Sequence, residues 1–148
     1  NPWIIDLNSH FFLFMKYEFL DHTSEIKIKS YGKTQEETLQ NLVLAISEYL
    51  SKNQKISSKK AKTIQAHGTD KENLLYNFID ELIYLYDAEY FIPLKAEITL
   101  LGNNIKATIY GDDTKNYHDL DHIKAATFSE MEFKKTDKEW IIQVVLDV

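Results

Sequence analysis

An α+β fold, with two amphipathic helices packed on one face of a largely antiparallel sheet, follows from three features of this sequence. Two segments carry apolar residues at helical spacing behind capping residues. Most of the remainder falls into short runs that alternate apolar and polar side chains. The last four of these runs are joined in pairs by short polar turns, as antiparallel hairpins are. At 148 residues the chain favours one domain with a sizeable core.

The first strand is read at Tyr17-Glu18-Phe19-Leu20. In the second, Ile26, Ile28 and Ser30 alternate with Lys27, Lys29 and Tyr31. Thr34 followed by Glu37 forms a capping box, and Leu39, Leu42, Val43, Ile46 and Leu50 continue as a helical stripe. The polar, lysine-rich run Ser51 to Lys60 is a loop, and Ala61 to His67 a further strand. Thr69 and Glu72 repeat the capping spacing ahead of Leu74, Leu75, Phe78, Ile79, Leu82, Ile83 and Tyr86, with Pro93 beyond the exit. Strands over 95–101 and 105–111 flank Gly102-Asn103-Asn104. Those over 123–133 and 139–148 flank Lys135-Thr136-Asp137-Lys138. The order is ββαβα followed by four strands.

Composition narrows function. Cysteine is absent, so disulfides, thiolate zinc sites and cysteine nucleophiles are excluded; a reducing cytoplasm fits, and is the expected location. Net charge is −6 and all 17 basic residues are lysine, which argues against a nucleic-acid binder built on basic patches and bidentate arginine. An acidic domain more readily meets a basic protein or a cation. Residues 1–14 read as an N-terminal extension or as a remnant upstream of a natural start at Met15, and residues 15–148 as the single domain. The apolar run Phe11 to Phe14 is too short for a signal peptide or a membrane span.

Three clusters carry candidate chemistry. Asp21-His22-Thr23-Ser24-Glu25 crowds ligand-type side chains at the mouth of a strand. As structure, these residues suit a side-chain-to-backbone turn. As a site, Asp21 and Glu25 offer hard oxygens to Ca²⁺, Mg²⁺ or Mn²⁺, and His22 could ligate or act as a base. Asp147, with the carboxylate of Val148 after it, ends the last strand. If that strand lies beside the first ones, two or three carboxylates converge there, which is costly without a cation or proton. Between Tyr110 and Lys124, Asp112, Asp113, His118, Asp119, Asp121 and His122 read as a solvated acidic loop whose spacing fails the EF-hand pattern. Asp80, Glu81 and Asp87 fall on the exposed face of the second helix, and Asp87 and His118 stand as further functional candidates beside His22. No phosphate loop, nucleophile elbow or local Ser-His-Asp pattern occurs, which argues against an enzyme in its own right.

Four segments in order resemble the archease family. "YEFLDHTSEIKIKSYGKTQEETLQNLVLAI" is similar to the family's opening, which typically has His-Thr-Ala-Asp-Ile before a strand, a glycine and a capped helix. "LLYNFIDELIYLYDAEYF" resembles its second helix. "IKAATFSEME" stands where the family has Lys-Ala-Val/Ile-Thr-Tyr-His, and "WIIQVVLDV" resembles its ending. The resemblance runs from about Met15 to Val148. It implies an archease-like fold and a protein cofactor of the GTP-dependent RNA ligase that joins 3′-phosphate or 2′,3′-cyclic phosphate ends to 5′-hydroxyl ends in tRNA splicing and RNA repair. Such a protein promotes guanylylation and multiple turnover of the ligase without catalysing the joining, and meets RNA only indirectly and no membrane. It further implies a divalent-cation site at Glu25 and Asp147, with Asp21 and His22 as neighbours. Glu25 replaces the family's aspartate, and Phe128-Ser129 replaces its Tyr-His. A chaperone-like metal-binding module without ligase specificity is the alternative, and a small metal-dependent hydrolase using the same carboxylates is a third reading.

Overall fold

The structure, a computed structural model, describes residues 2–6, 12–20 and 24–148. Trp3–Asp6 (β1) and Phe12–Met15 (β2) pair antiparallel with each other, Trp3 opposite Met15. The order ββαβα and four strands follows. It comprises Tyr17–Leu20 (β3), Glu25–Gly32 (β4), Gln35–Ser51 (α1), Lys60–His67 (β5), Lys71–Glu89 (α2), Phe91–Leu101 (β6), Asn104–Asp113 (β7), Ala125–Lys135 (β8) and Trp140–Asp147 (β9).

The class is α+β, and all of these strands pair antiparallel. They divide into two sheets, one ordered β3-β4-β9-β8 and the other β5-β7-β6. Helix α1 packs mainly on β6 and β4, and α2 on β8 and β5, so each helix touches both sheets. One core results. Leu39, Leu42 and Val43 of α1, Leu74, Leu75, Phe78 and Ile79 of α2, and Ile28, Ile109, Ile142 and Val144 of the sheets are wholly buried within it. Each such side chain contributes about 1.5–3 kcal/mol relative to exposure.

The helix starts follow local chemistry. The Thr34 hydroxyl accepts the Glu37 amide at 3.1 Å, as the capping box requires. Thr34→Ala should cost about 1 kcal/mol, read as a lower urea midpoint at unchanged slope. The second helix starts one residue later than its Thr69/Glu72 spacing predicts. Asp70 is the cap, accepting the Asn73 amide at 2.7 Å, while Asn73 Oδ1 accepts the Thr69 amide at 3.0 Å. The carboxylate of Asp70 outcompetes the neighbouring hydroxyl because it also complements the positive end of the helix dipole. Strands β6 and β7 turn at Gly102, whose φ of +59° favours glycine.

Candidate functional site

Strand β4 opens at Glu25, and its register with β9 sets Glu25 directly opposite Asp147. On the far side of β9, Asp147 faces Ala125 of β8. The row Glu25–Asp147–Ala125 therefore closes one end of the four-stranded sheet. Strand β3 stops two rows short: its last residue, Leu20, pairs with Lys27. Strand β4 is entered through Ser24, whose φ is +59°. The Lys124 amide donates to the Asp147 carbonyl at 2.8 Å and fixes the end of β9.

Sequence reasoning placed Glu25 and Asp147 in one site, and the fold brings them together as cross-strand neighbours. Directly opposed residues of an antiparallel pair hold their Cβ atoms roughly 4.5–5.5 Å apart, and like charges there repel. Glu25 is half-buried and Asp147 exposed, so both carboxylates border solvent that a hydrated cation can enter. Among the described residues no group of three or more His, Asp or Glu side chains gathers closely enough to hold a metal ion. Asp21 and His22 lie outside the described residues. The half-buried Val148 packs against the core.

The other candidates have different surroundings. Asp87, at the exposed end of α2, receives His122 Nε2 at 3.2 Å. His118 is exposed, and its backbone is clasped by Gln54, whose Nε2 donates to the His118 carbonyl at 2.7 Å. Asp87 also borders a cleft of about 760 Å³ with Lys60, Tyr86, Tyr90, Asp113 and Tyr117. The Tyr86 hydroxyl there donates to the Asp121 carbonyl at 2.6 Å, and burial, with Asp87 and Asp121 nearby, pushes it up to about 12.

One acidic residue departs from the solvated loop expected of it. Asp112 is only 2% exposed and belongs to β7, which runs two residues past Gly111. Its carboxylate accepts the Tyr117 hydroxyl at 2.7 Å, the Asp113 amide at 2.8 Å and Asn116 Nδ2 at 3.2 Å. The Tyr117 bond first, then the Asp113 and Asn116 bonds and the charge of Lys59, hold its pKa below the usual aspartate value against the effect of burial. The Asp-x-x-x-Asn-Tyr spacing from 112 to 117 is the signal that could have found this knot.

The topology carrying these residues is shared with known proteins. The solution structure of Methanobacterium thermoautotrophicum protein 1598 superimposes with a TM-score of 0.71 at 23% identity, over 90% of this chain and 99% of that one. The crystal structure of an archease, described as a possible chaperone, from Thermotoga maritima gives 0.56 at 20% identity, over 87% and 94%. Among curated sequences, the archease of Pyrobaculum islandicum is 34% identical over 143 residues, 89% of this chain and 95% of its own length. That of Pyrococcus abyssi is 31% identical over 140 residues, 90% of this chain and 99% of its own. The profile of the archease protein family (MTH1598/TM1083) matches residues 17–148, from the start of β3 past the Glu25–Asp147 row. With that span and those relatives, the chain belongs to the archease protein family.

Proposed function

We propose that this archease is a non-catalytic cofactor of a GTP-dependent RNA ligase, promoting its guanylylation and repeated turnover in the cytoplasm during tRNA splicing and RNA repair. Family membership supports the class of partner. The observation that carries the site is the register that opposes Glu25 and Asp147. Two hard oxygen donors at a solvent-bordered sheet end suit Mg²⁺, Mn²⁺ or Ca²⁺, with water, Asp21 or the partner completing the shell. A bound divalent ion would supply positive charge beside the partner's nucleotide phosphates. The chain's own contribution is to hold the two carboxylates in the row that closes one end of the sheet. RNA would meet the ligase, consistent with the absence of arginine here. No helix among the described residues is long and apolar enough to cross a membrane.

The test is multiple-turnover joining of a 3′-phosphate RNA to a 5′-hydroxyl RNA by the ligase of the same organism, with GTP and Mn²⁺. The protein should raise turnover and join nothing by itself. Glu25→Ala and Asp147→Ala should each lose about tenfold or more of that stimulation while melting like the parent, a loss at least as large as supporting residues of metal sites show. No stimulation by the intact protein would sink the reading and favour the chaperone-like binding module. Stimulation that survives both substitutions would remove the carboxylates from it.

A further inference from the structure

We infer that Lys27, held by Glu130 beside the Glu25–Asp147 row, sets the cation affinity of that row and keeps the ion exchangeable. The inference rests on the cation reading of Glu25 and Asp147. On β4, Ile26, Ile28 and Ser30 face the helices, so Glu25 and Lys27 share the opposite face, two residues apart. A strand rise of about 3.3–3.4 Å per residue separates their Cα atoms by roughly 7 Å. Lys27 pairs in register with Val145, and Val145 with Thr127.

What lies above that second row is unusual. Val145 is wholly buried although it stands outside the core cluster that takes its neighbours Val144 and Leu146. Strand β8 leaves its register with β9 after Thr127 and regains it at Glu132, setting the four residues Phe128 to Met131 against Val144 alone. Within this bulge Glu130 has φ +53°, a left-handed conformation that costs a non-glycine residue about 1 kcal/mol or more. It is held there by Gln143 Nε2, which donates to the Glu130 carbonyl at 2.7 Å. Its carboxylate accepts Lys27 Nζ at 3.3 Å. Because β9 runs between β4 and β8, this ion pair spans the face of β9 over the Val145 row. The Lys27 side chain is only 18% exposed.

Bulges that re-aim side chains and strained residues fixed by several contacts gather at working sites. This one fixes the ammonium of the residue that follows Glu25 on the same face of β4. A positive charge near the row opposes a second cation, and solvent screens it only in part because the Lys27 side chain is mostly covered. Glu130 offsets part of that charge, so the pair tunes the site without ligating the ion.

Mn²⁺ titrated into the full chain, followed by calorimetry and by water-proton relaxation, tests this. Lys27→Met should bind Mn²⁺ about three- to tenfold more tightly, the range expected on removing one nearby, partly screened charge. Lys27→Arg should stay within about twofold of the parent, and Glu130→Gln should bind more weakly, since the ammonium then acts unopposed. If the parent binds Mn²⁺ and Lys27→Met binds equally or more weakly, the inference is overturned while the cation site stands. If neither parent nor Lys27→Met binds Mn²⁺, the cation reading falls and takes the inference with it.

Discussion

Gly111→Ala is expected to destabilise the protein by about 3 kcal/mol or more, at the upper end of what overpacking costs. A Cβ at Gly111 would lie 2.0 Å from the Ile92 carbonyl oxygen and 2.9 Å from Phe91 Cζ. The first obstacle is backbone, and no rotamer relieves it. Pro93 pairs opposite Gly111, and the register of β6 with β7 shifts between Pro93 and Lys95, so the strands approach closely where the ladder is already irregular. Relief would require β6 to move off β7 and disturb Phe91 and Ile92, both essentially inaccessible to solvent. Urea unfolding should show a large fall in midpoint. Gly102→Ala is the control. Its Cβ would meet nothing within 4 Å, so only the φ of +59° opposes it and the loss should be about 1 kcal/mol. Equal effects at the two positions would mean that the close approach at Gly111 is absent.

Asp112→Ala should cost about 2–4 kcal/mol and change how stability depends on acid. The substitution strands the Tyr117 hydroxyl, Asn116 Nδ2 and the Asp113 amide, and a hydrogen bond to a charged group is worth about 1.5–3 kcal/mol. The direction with pH follows from the folded pKa, which the Tyr117 hydrogen bond above all holds below the usual aspartate value. A carboxylate whose pKa is depressed by folding stabilises the native state fully above its unfolded pKa. That contribution fades as pH falls toward and through the folded value. The parent should therefore lose stability below about pH 4 more steeply than Asp112→Asn, which has no proton to take up. Thermal melts from pH 7 to pH 2.5 give the comparison. Parallel curves for the two proteins would show that the Asp112 carboxylate does not carry the linkage.

How far the sequence could be read depended on the range of the interaction. The cap at Thr34 and the turn at Gly102 are decided within a few residues, and both form as their residue types require. The start of α2 was off by one because Thr69 and Asp70 both cap well, and the choice falls to Asn73, which serves Asp70 from one side and Thr69 from the other. Division into two sheets was not legible. Alternation in β5 and β7 gives their inward faces but carries no information on whether β7 or β9 is the neighbour. Glu25 and Asp147 were placed together by resemblance, and the register that opposes them is a long-range property. Asp112 was missed because an acid in a polar run is usually solvated, and its burial depends on Tyr117 and Asn116 folding back through the 3-10 turn Thr114–Asn116. The Lys27–Glu130 pair was invisible because it requires β8 to bulge across β9.

The pairing of β4 with β9 also governs when the site can exist. Glu25 and Asp147 are roughly 120 residues apart in the chain, and only the closure of β9 between β4 and β8 brings them face to face. Pairings of such long loop length form late, after local helices and hairpins, because their closure entropy must be met first. A chain still emerging from the ribosome, or one in which the end of β9 has frayed, would hold one carboxylate without its partner. Competence at this row therefore reports that the four-stranded sheet has been completed. A ligand bound across it would slow hydrogen exchange at the last amides of β9 before it protected the helices.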